Sequence, residues 1–337
     1  MPKSAHLSEV SLDRSPVIAC ISSAMRASDV VQASARLAGQ VRKPLILFHS
    51  ISEHRINGDL PDPFSSQIDR RRMNATLAEL TRTLGPVEDG VDVVLCEGHW
   101  QSALSQMVAR MGAAIAVAGS PCSAHTSHLA TSILEQGIAA CMFVPQREPI
   151  LDAAQPRQKI MVPLDGSAFS EAALAQAIRL ATSDGAELFL AHVIPECGLE
   201  DFGPPTVRDL QLRDQIDRRN EQSACAFIEA HLRQIKAYGL AARSSCTKGD
   251  PRVRLLDLVA EERPTMVVMS ARGAGLRTCE DLAIGSTSAF LLDHLSVPVL
   301  IVASASLALS VARWAGKPGR SEHLTRPPLS RPVLTTS

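Results

Sequence analysis

The chain has 337 residues, 45% apolar and 20% charged, a globular composition long enough for two domains and far beyond a scaffold held by disulfides or a metal alone. Its 34 basic and 35 acidic side chains nearly cancel, so no whole-molecule field draws in nucleic acid or an anionic membrane. Eight Phe, two Trp and one Tyr are too few for the base-stacking platforms of single-strand binders.

Residues 1–14 form a polar N-terminal tail without an apolar h-region, which argues against a secretory signal. The eight cysteines (Cys20, Cys96, Cys122, Cys141, Cys197, Cys225, Cys246, Cys279) never form CxxC and have no His pair at metal spacing, so neither zinc nor a redox dithiol is indicated. Most lie in apolar runs, as in VIAC at Cys20 and AACMFV at Cys141, where a thiol acts as a small hydrophobe and a reducing cytoplasm suits it.

An internal repeat organises the rest. RLAGQVRKPLILFHSI, ending at Ile51, matches RLATSDGAELFLAHVI, ending at Ile194, at a constant shift of 143, with Arg36/Arg179, Leu37/Leu180, Ala38/Ala181, Leu45/Leu188, Leu47/Leu190 and His49/His192 identical. QIDRR then occurs twice, from Gln67 and from Gln215, and Gly98/Gly249, Leu104/Leu255, Val108/Val259 and Ala109/Ala260 follow at a shift of 151. Order is preserved throughout, so residues 15–147 and 159–303 are expected to be two copies of one fold. Glu148 to Gln158, rich in Pro and polar residues, reads as the linker between them.

The second copy shows its elements most clearly. KIMVPLD is a strand, Ser170 is placed to cap a helix over EAALAQAIRLA, and AELFLAHVI is a second strand. Thr206 to Tyr238 carries helical periodicity, a third strand ends near Cys246, and Val253 to Glu262 is helical. TMVVMS is a fourth strand, Ser286 to His294 a helix and VPVLIV the fifth strand. Short apolar strands alternating with helices imply a parallel sheet covered on both faces, so two doubly wound α/β domains are expected, each ordered 3-2-1-4-5 by the right-handed crossover rule. The final strands, near Ala140–Val144 and Pro298–Val302, are expected to pair the domains as a pseudo-twofold, with a further homodimer left open. Leu295 to Ala312 lacks charge over 18 residues, but Pro298 and several serines argue against a membrane span. Residues 304–337, with five basic residues against one acid, read as a mobile basic tail.

Ligands of open α/β sheets bind beyond the carboxyl ends of the strands. There the second copy carries Pro163-Leu164-Asp165-Gly166-Ser167 after strand one and Met269-Ser270-Ala271-Arg272-Gly273-Ala274-Gly275 after strand four. Gly285-Ser286-Thr287 then opens a helix whose first amides and hydroxyls suit phosphate. With LAHV at the second strand end and VPVLIV at the close, these motifs resemble the universal stress protein family in tandem form. The likeness runs from Lys159 to Val302, with a weaker copy over Ser15 to Val144.

The resemblance implies two Rossmann-like domains of the adenine nucleotide alpha hydrolase type, cytoplasmic location and a role in stress survival. Family members that bind ATP carry G-x2-G-x9-G-[ST]; here Ser270 replaces the first glycine and eleven residues separate Gly273 from Gly285. Counting nine back from Gly285 reaches Gly275, but then Arg272 takes the first position and the strand end no longer fits. Glu280 and Asp281 in this loop would repel a triphosphate, and Arg272 and Arg277 would attract it. Carried over residue by residue, the resemblance puts Asp165 near the ribose or a Mg²⁺ accompanying ATP, and Pro163, Leu164 and Val193 around adenine. Met269, Ser270, Arg272 and Gly273 line the nucleotide, and Gly285, Ser286 and Thr287 meet its phosphates.

The first copy has Ser22 at the Asp165 position, Gly119 at the Ser270 position, and Ser127 and His128 opposite Gly285 and Ser286, so a nucleotide is expected in the second copy only. Cys122, His125 and His128 lack a fourth ligand and read as a polar loop rather than a metal site. No Ser/His/Asp order and no paired carboxylates support a hydrolase. The open functions are a regulatory protein that binds ATP, a nucleotide-free assembly module of the same family, and a slow ATPase or self-phosphorylating protein.

Overall fold

A computed structural model describes residues 15–22, 27–51, 55–56, 60–61, 63–84, 90–112, 114–120, 125–145, 158–195, 206–274 and 283–303. Both tails, the linker up to residue 157, Gly275, Arg277, Glu280, Asp281, Cys122, Cys197 and Cys279 lie outside the described residues.

The first half runs β1 (Val17–Cys20), α1 (Ala27–Val41), β2 (Leu45–Ile51), the two-residue strands β3 (Arg55–Ile56) and β4 (Leu60–Pro61), α2 (Pro63–Thr83), β5 (Val91–Glu97), α3 (Trp100–Met111), β6 (Ile115–Gly119), α4 (Thr126–Leu134) and β7 (Ala140–Val144). The second runs β8 (Lys159–Pro163), α5 (Ala168–Asp184), β9 (Glu187–Ile194), α6 (Val207–Ala237), β10 (Ala242–Lys248), α7 (Pro251–Glu262), β11 (Met266–Ser270), α8 (Ser286–His294) and β12 (Val299–Val302). QIDRR falls on α2 and again on α6, where Ile68 and Ile216 are both exposed, so the pentapeptide marks a solvated helix face and not core.

The strands form one ten-stranded sheet, ordered β10-β9-β8-β11-β12-β7-β6-β1-β2-β5. The two five-stranded sheets expected from the repeat are the two halves of this one sheet. Numbered within each half, with the β3–β4 hairpin set aside, the order is 3-2-1-4-5 on both sides. The halves join where β12 pairs antiparallel with β7, Ile301 opposite Cys141, while every other pair in this sheet is parallel. Central strands such as β6 and β12 are buried along their whole length, as two covered faces require. The edges are polar: β5 carries Asp92 and Glu97, and β10 carries Arg243 and Lys248, which discourages further strand addition.

Helices α1, α2, α5 and α6 cover one face and α3, α4, α7 and α8 the other, and each apolar layer draws on both halves without a break. One layer holds Val31, Leu37, Leu77, Leu174 and Ile228; the other holds Leu104, Ile133, Leu255, Leu291 and Ile301. Gln40 at the end of α1 hydrogen-bonds Asp184 at the end of α5 across the junction. Cys20 and Cys141 are packed as small hydrophobes, and burial pushes the Cys20 thiol up to about 12. No described helix is long and apolar enough to cross a membrane; of the uncharged stretch from Leu295, residues 295–303 are described and hold β12.

Helix starts in the second half follow local chemistry. Ser167 caps α5 by accepting from the Ser170 amide at 3.2 Å, so the expected cap moves three residues back and Ser170 becomes the residue whose amide is satisfied. Thr206 and Asp209 form a capping box on α6, and Asp250 caps α7 ahead of Pro251.

Candidate functional site

From β8 the chain moves outward to β9 and β10, then returns to β11 on the other side of β8 and continues to β12. Strand order therefore reverses between β8 and β11, and the crevice beyond their carboxyl ends is where open α/β sheets hold ligands. The segments that border it are Leu164 to Ser167 after β8 and Ala271 to Ala274 after β11, with the start of α8 beside the latter.

Asp165 spans this reversal. Its Oδ1 accepts from the Ser167 amide at 3.0 Å and the Ser167 hydroxyl at 2.6 Å, and its Oδ2 accepts from the Ala274 amide at 2.7 Å. Burial by itself would raise the Asp165 carboxyl, but the hydrogen bonds from Ser167 and Ala274 outweigh it and hold the group below the usual carboxylate range. Gly273 is required by this arrangement, because a Cβ there would collide with Asp165 Oδ2. The loop after β11 is further tightened by Ser270, whose hydroxyl donates to the Arg272 carbonyl at 2.7 Å.

Helix α8 starts differently from α5, α6 and α7. Its N-cap, Gly285, is extended at φ −76° and ψ 160°, and no side chain caps the helix. The Gly285 amide donates to the Ala271 carbonyl at 2.8 Å, and the Ser288 hydroxyl donates to the Ser270 carbonyl at 2.9 Å, so the first turn of α8 is fastened to the end of β11. What this end presents to an anion is the first-turn amides beyond Gly285 and the hydroxyls of Ser286, which is exposed, and Thr287, which is half-buried.

Asp165, Ser270, Arg272, Gly273, Gly285, Ser286 and Thr287 thus gather at one end of the sheet, on the β8, β11 and α8 termini. The apolar candidates divide. Pro163 ends β8 half-buried; Leu164 packs into the layer under α5, while Val193 and Met269 pack into the opposite layer under α7 and α8. Sequence reasoning missed Ser167 and the Ala274 amide as partners of Asp165, and Ser288 as the hydroxyl that ties α8 to β11. The Asp-Gly-Ser spacing was the available signal for the first, since a strand-end Asp favours hydrogen bonds to the backbone two residues on.

Contacts recur between the halves at the shifts seen in the sequence. His192 Nδ1 donates to the Leu164 carbonyl at 2.7 Å and His49 Nδ1 to the Ile21 carbonyl at 2.7 Å, each tying the second strand of its half to the end of the first. The ends of β2 and β9 likewise accept from Gly98 at 3.0 Å and Gly249 at 3.1 Å. Both histidines are therefore structural ties.

The start of α4, the counterpart of α8, is not open. His125 is the N-cap, so counting from the helix starts sets His125 opposite Gly285 and Ser127 opposite Thr287, which moves the expected pairing by two residues. The Ser127 amide and hydroxyl both donate to Asp293 of α8, at 2.9 and 2.7 Å. His125 and His128 lie with ring centroids 5.9 Å apart, and among the described residues no three His, Cys, Asp or Glu side chains gather as a metal site.

Residues 156–303 match the family model of the universal stress protein family. A universal stress protein from Synechocystis is 24% identical over 150 residues, 43% of this chain and 96% of that protein. One from Mycolicibacterium smegmatis is 31% identical over 144 residues, 42% of this chain and 47% of that protein. Among solved structures, a universal stress protein from Archaeoglobus fulgidus superposes over 86% of this chain and 97% of its own at TM-score 0.58 and 16% identity. A functionally unknown protein from Pseudomonas aeruginosa does so over 90% and 98% at TM-score 0.57 and 15% identity. These two likenesses show the fold, and they extend it over both halves. Residues 156–303 are thus similar in sequence to the universal stress protein family, and the fold that its solved members share extends over both halves of the chain.

Proposed function

We propose that the chain is a stress-response regulatory protein that binds one adenine nucleotide, ATP or a relative of it, at the β8–β11 crevice of its second half. The observation that carries this reading is the uncapped start of α8, set beside a loop that Gly273 and Asp165 hold close to the end of β8. Phosphate would be met by the first-turn amides and by the Ser286 and Thr287 hydroxyls, and Arg272 stands in the adjoining loop. Asp165 acts here through the loop it holds: its oxygens are engaged by Ser167 and Ala274, so a Mg²⁺ would be carried by the phosphates of ATP rather than by this carboxylate. The first half takes no phosphate, because Asp293 lies where the α4 terminus would receive it.

A second reading, a nucleotide-free assembly module, is favoured by one feature: the Ser270 hydroxyl points to the Arg272 carbonyl, where ATP-binding relatives are expected to carry a glycine. Calorimetric titration of the full chain with ATP, ADP and AMP separates the two. One site per chain is expected; two equivalent sites would refute the restriction to the second half, and no heat with any of the three leaves the assembly module.

A further inference from the structure

Asp293 lies in the last turn of α8, where a carboxylate opposes its own helix dipole. Nothing within α8 accounts for it. Against α4 the same charge is favourable, because its Oδ1 takes the second amide of that helix and its Oδ2 the Ser127 hydroxyl. Counted from the helix starts, the α4 residue that matches Asp293 is Ile133, which is buried and cannot accept a hydrogen bond. The cap is therefore one-way: the second half caps the first, and the start of α8 receives no carboxylate from Ile133 in return.

The two ends of α8 thus do different work. Its first turn is tied to β11 through Gly285–Ala271 and Ser288–Ser270 and carries Ser286 and Thr287; its last turn is tied to the first half through Asp293. With nine residues the helix is about 13 Å long, short enough to move as one body. Leu291 and Leu292 bury its middle in an apolar layer that α4 shares through Ala130 and Ile133.

We propose that α8 couples the two halves: ligand at its first turn and the Asp293–Ser127 contact at its last are linked, so the first half, which holds no phosphate itself, sets the affinity of the second. The inference rests on the nucleotide reading above. It gives the first half a role in regulation, as a built-in partner that fixes the helix on which phosphate is bound. Linkage then works in both directions: whatever the contact adds to nucleotide affinity, nucleotide must add to the stability of the contact.

Amide hydrogen exchange on the full chain, with and without ATP, tests this in wild type, Asp293→Ala, Asp293→Asn and Ser127→Ala. Without nucleotide, Asp293→Ala is expected to speed exchange in both 126–134 and 286–294; in wild type, ATP is expected to slow exchange in 126–134. ATP affinity should fall about 5-fold in Asp293→Ala, at the low end of ordinary coupling factors, with Asp293→Asn intermediate because one amide oxygen can still accept. Ser127→Ala, which keeps the amide contact, gives the same signs at smaller size should Asp293→Ala fail to fold. Faster exchange confined to 126–134, with ATP affinity unchanged, would reduce Asp293 to a cap on α4 and overturn the coupling. If wild type binds no nucleotide, the nucleotide reading fails on its own, and exchange of 286–294 in nucleotide-free Asp293→Ala still decides whether the contact reaches along α8.

Discussion

Gly273 and Asp165 form a pair in which neither residue is explicable alone. Asp165 reaches the Ala274 amide only because Gly273 has no side chain, and Gly273 is needed only because Asp165 is there. Gly273→Ala should therefore destabilise the chain by about 1–3 kcal/mol, the ordinary cost of forcing an extra carbon into a filled space. The same change should cost clearly less in an Asp165→Ala background, and urea unfolding of the four species checks it; equal costs would show that the collision is not the cause. The carboxylate also sets a pH dependence. Because its folded pKa lies below the unfolded value of about 3.9, the group contributes stability above that pH and loses it as pH falls through the folded value. Asp165→Asn should lower the urea midpoint at pH 7, and the gap to wild type should close as the pH drops below about 4.

At the scale of elements, the second half places its capping side chains at α5, α6 and α7 and withholds one from α8. An uncapped start is a small loss to stability and keeps amides available to an anion. Replacing the exposed first residue, Ser286→Glu, supplies a negative charge in the first turn, which favours the helix by about 0.3–1 kcal/mol. Stability should hold or rise while nucleotide affinity falls at least about tenfold through charge repulsion. Paired urea unfolding and calorimetry test the opposite signs. Parallel losses in both would point to misfolding, and unchanged affinity would remove α8 from the site.

Over the whole molecule, the β7–β12 pair makes ten strands continuous and gives both apolar layers a path from one half to the other. Ile301 lies at the centre of that pair, fully buried opposite Cys141. A carboxylate there would be buried without a partner, so Ile301→Asp should cost about 3–5 kcal/mol. Both halves should lose protection together, because each layer is shared. Peptide-resolved hydrogen exchange under mild urea follows this directly; loss confined to residues 158–303, with 15–145 still protected, would mean that the halves fold independently.

What the amino-acid order determined by itself was periodic or local: the alternation of apolar strands with helices, the repeat at shifts of 143 and 151, and the span of α8 from Ser286 to His294. Each of these rests on neighbours in the chain or on a pattern that a parallel sheet forces. Gly285 was legible as a helix start, and Gly273 through the resemblance to the family's glycine motif rather than through its spacing. The tertiary structure alone decided what those residues meet. Asp165 also accepts from the Ala274 amide 109 residues away, and Asp293 accepts from Ser127 166 residues away, separations at which no local pattern carries information. The apolar final strands pointed to β7 and β12, and the tertiary structure decided how they meet, antiparallel and within one sheet, because two identical units can sit side by side in many ways. Burial of the apolar edges of β7 and β12 against each other selects among them.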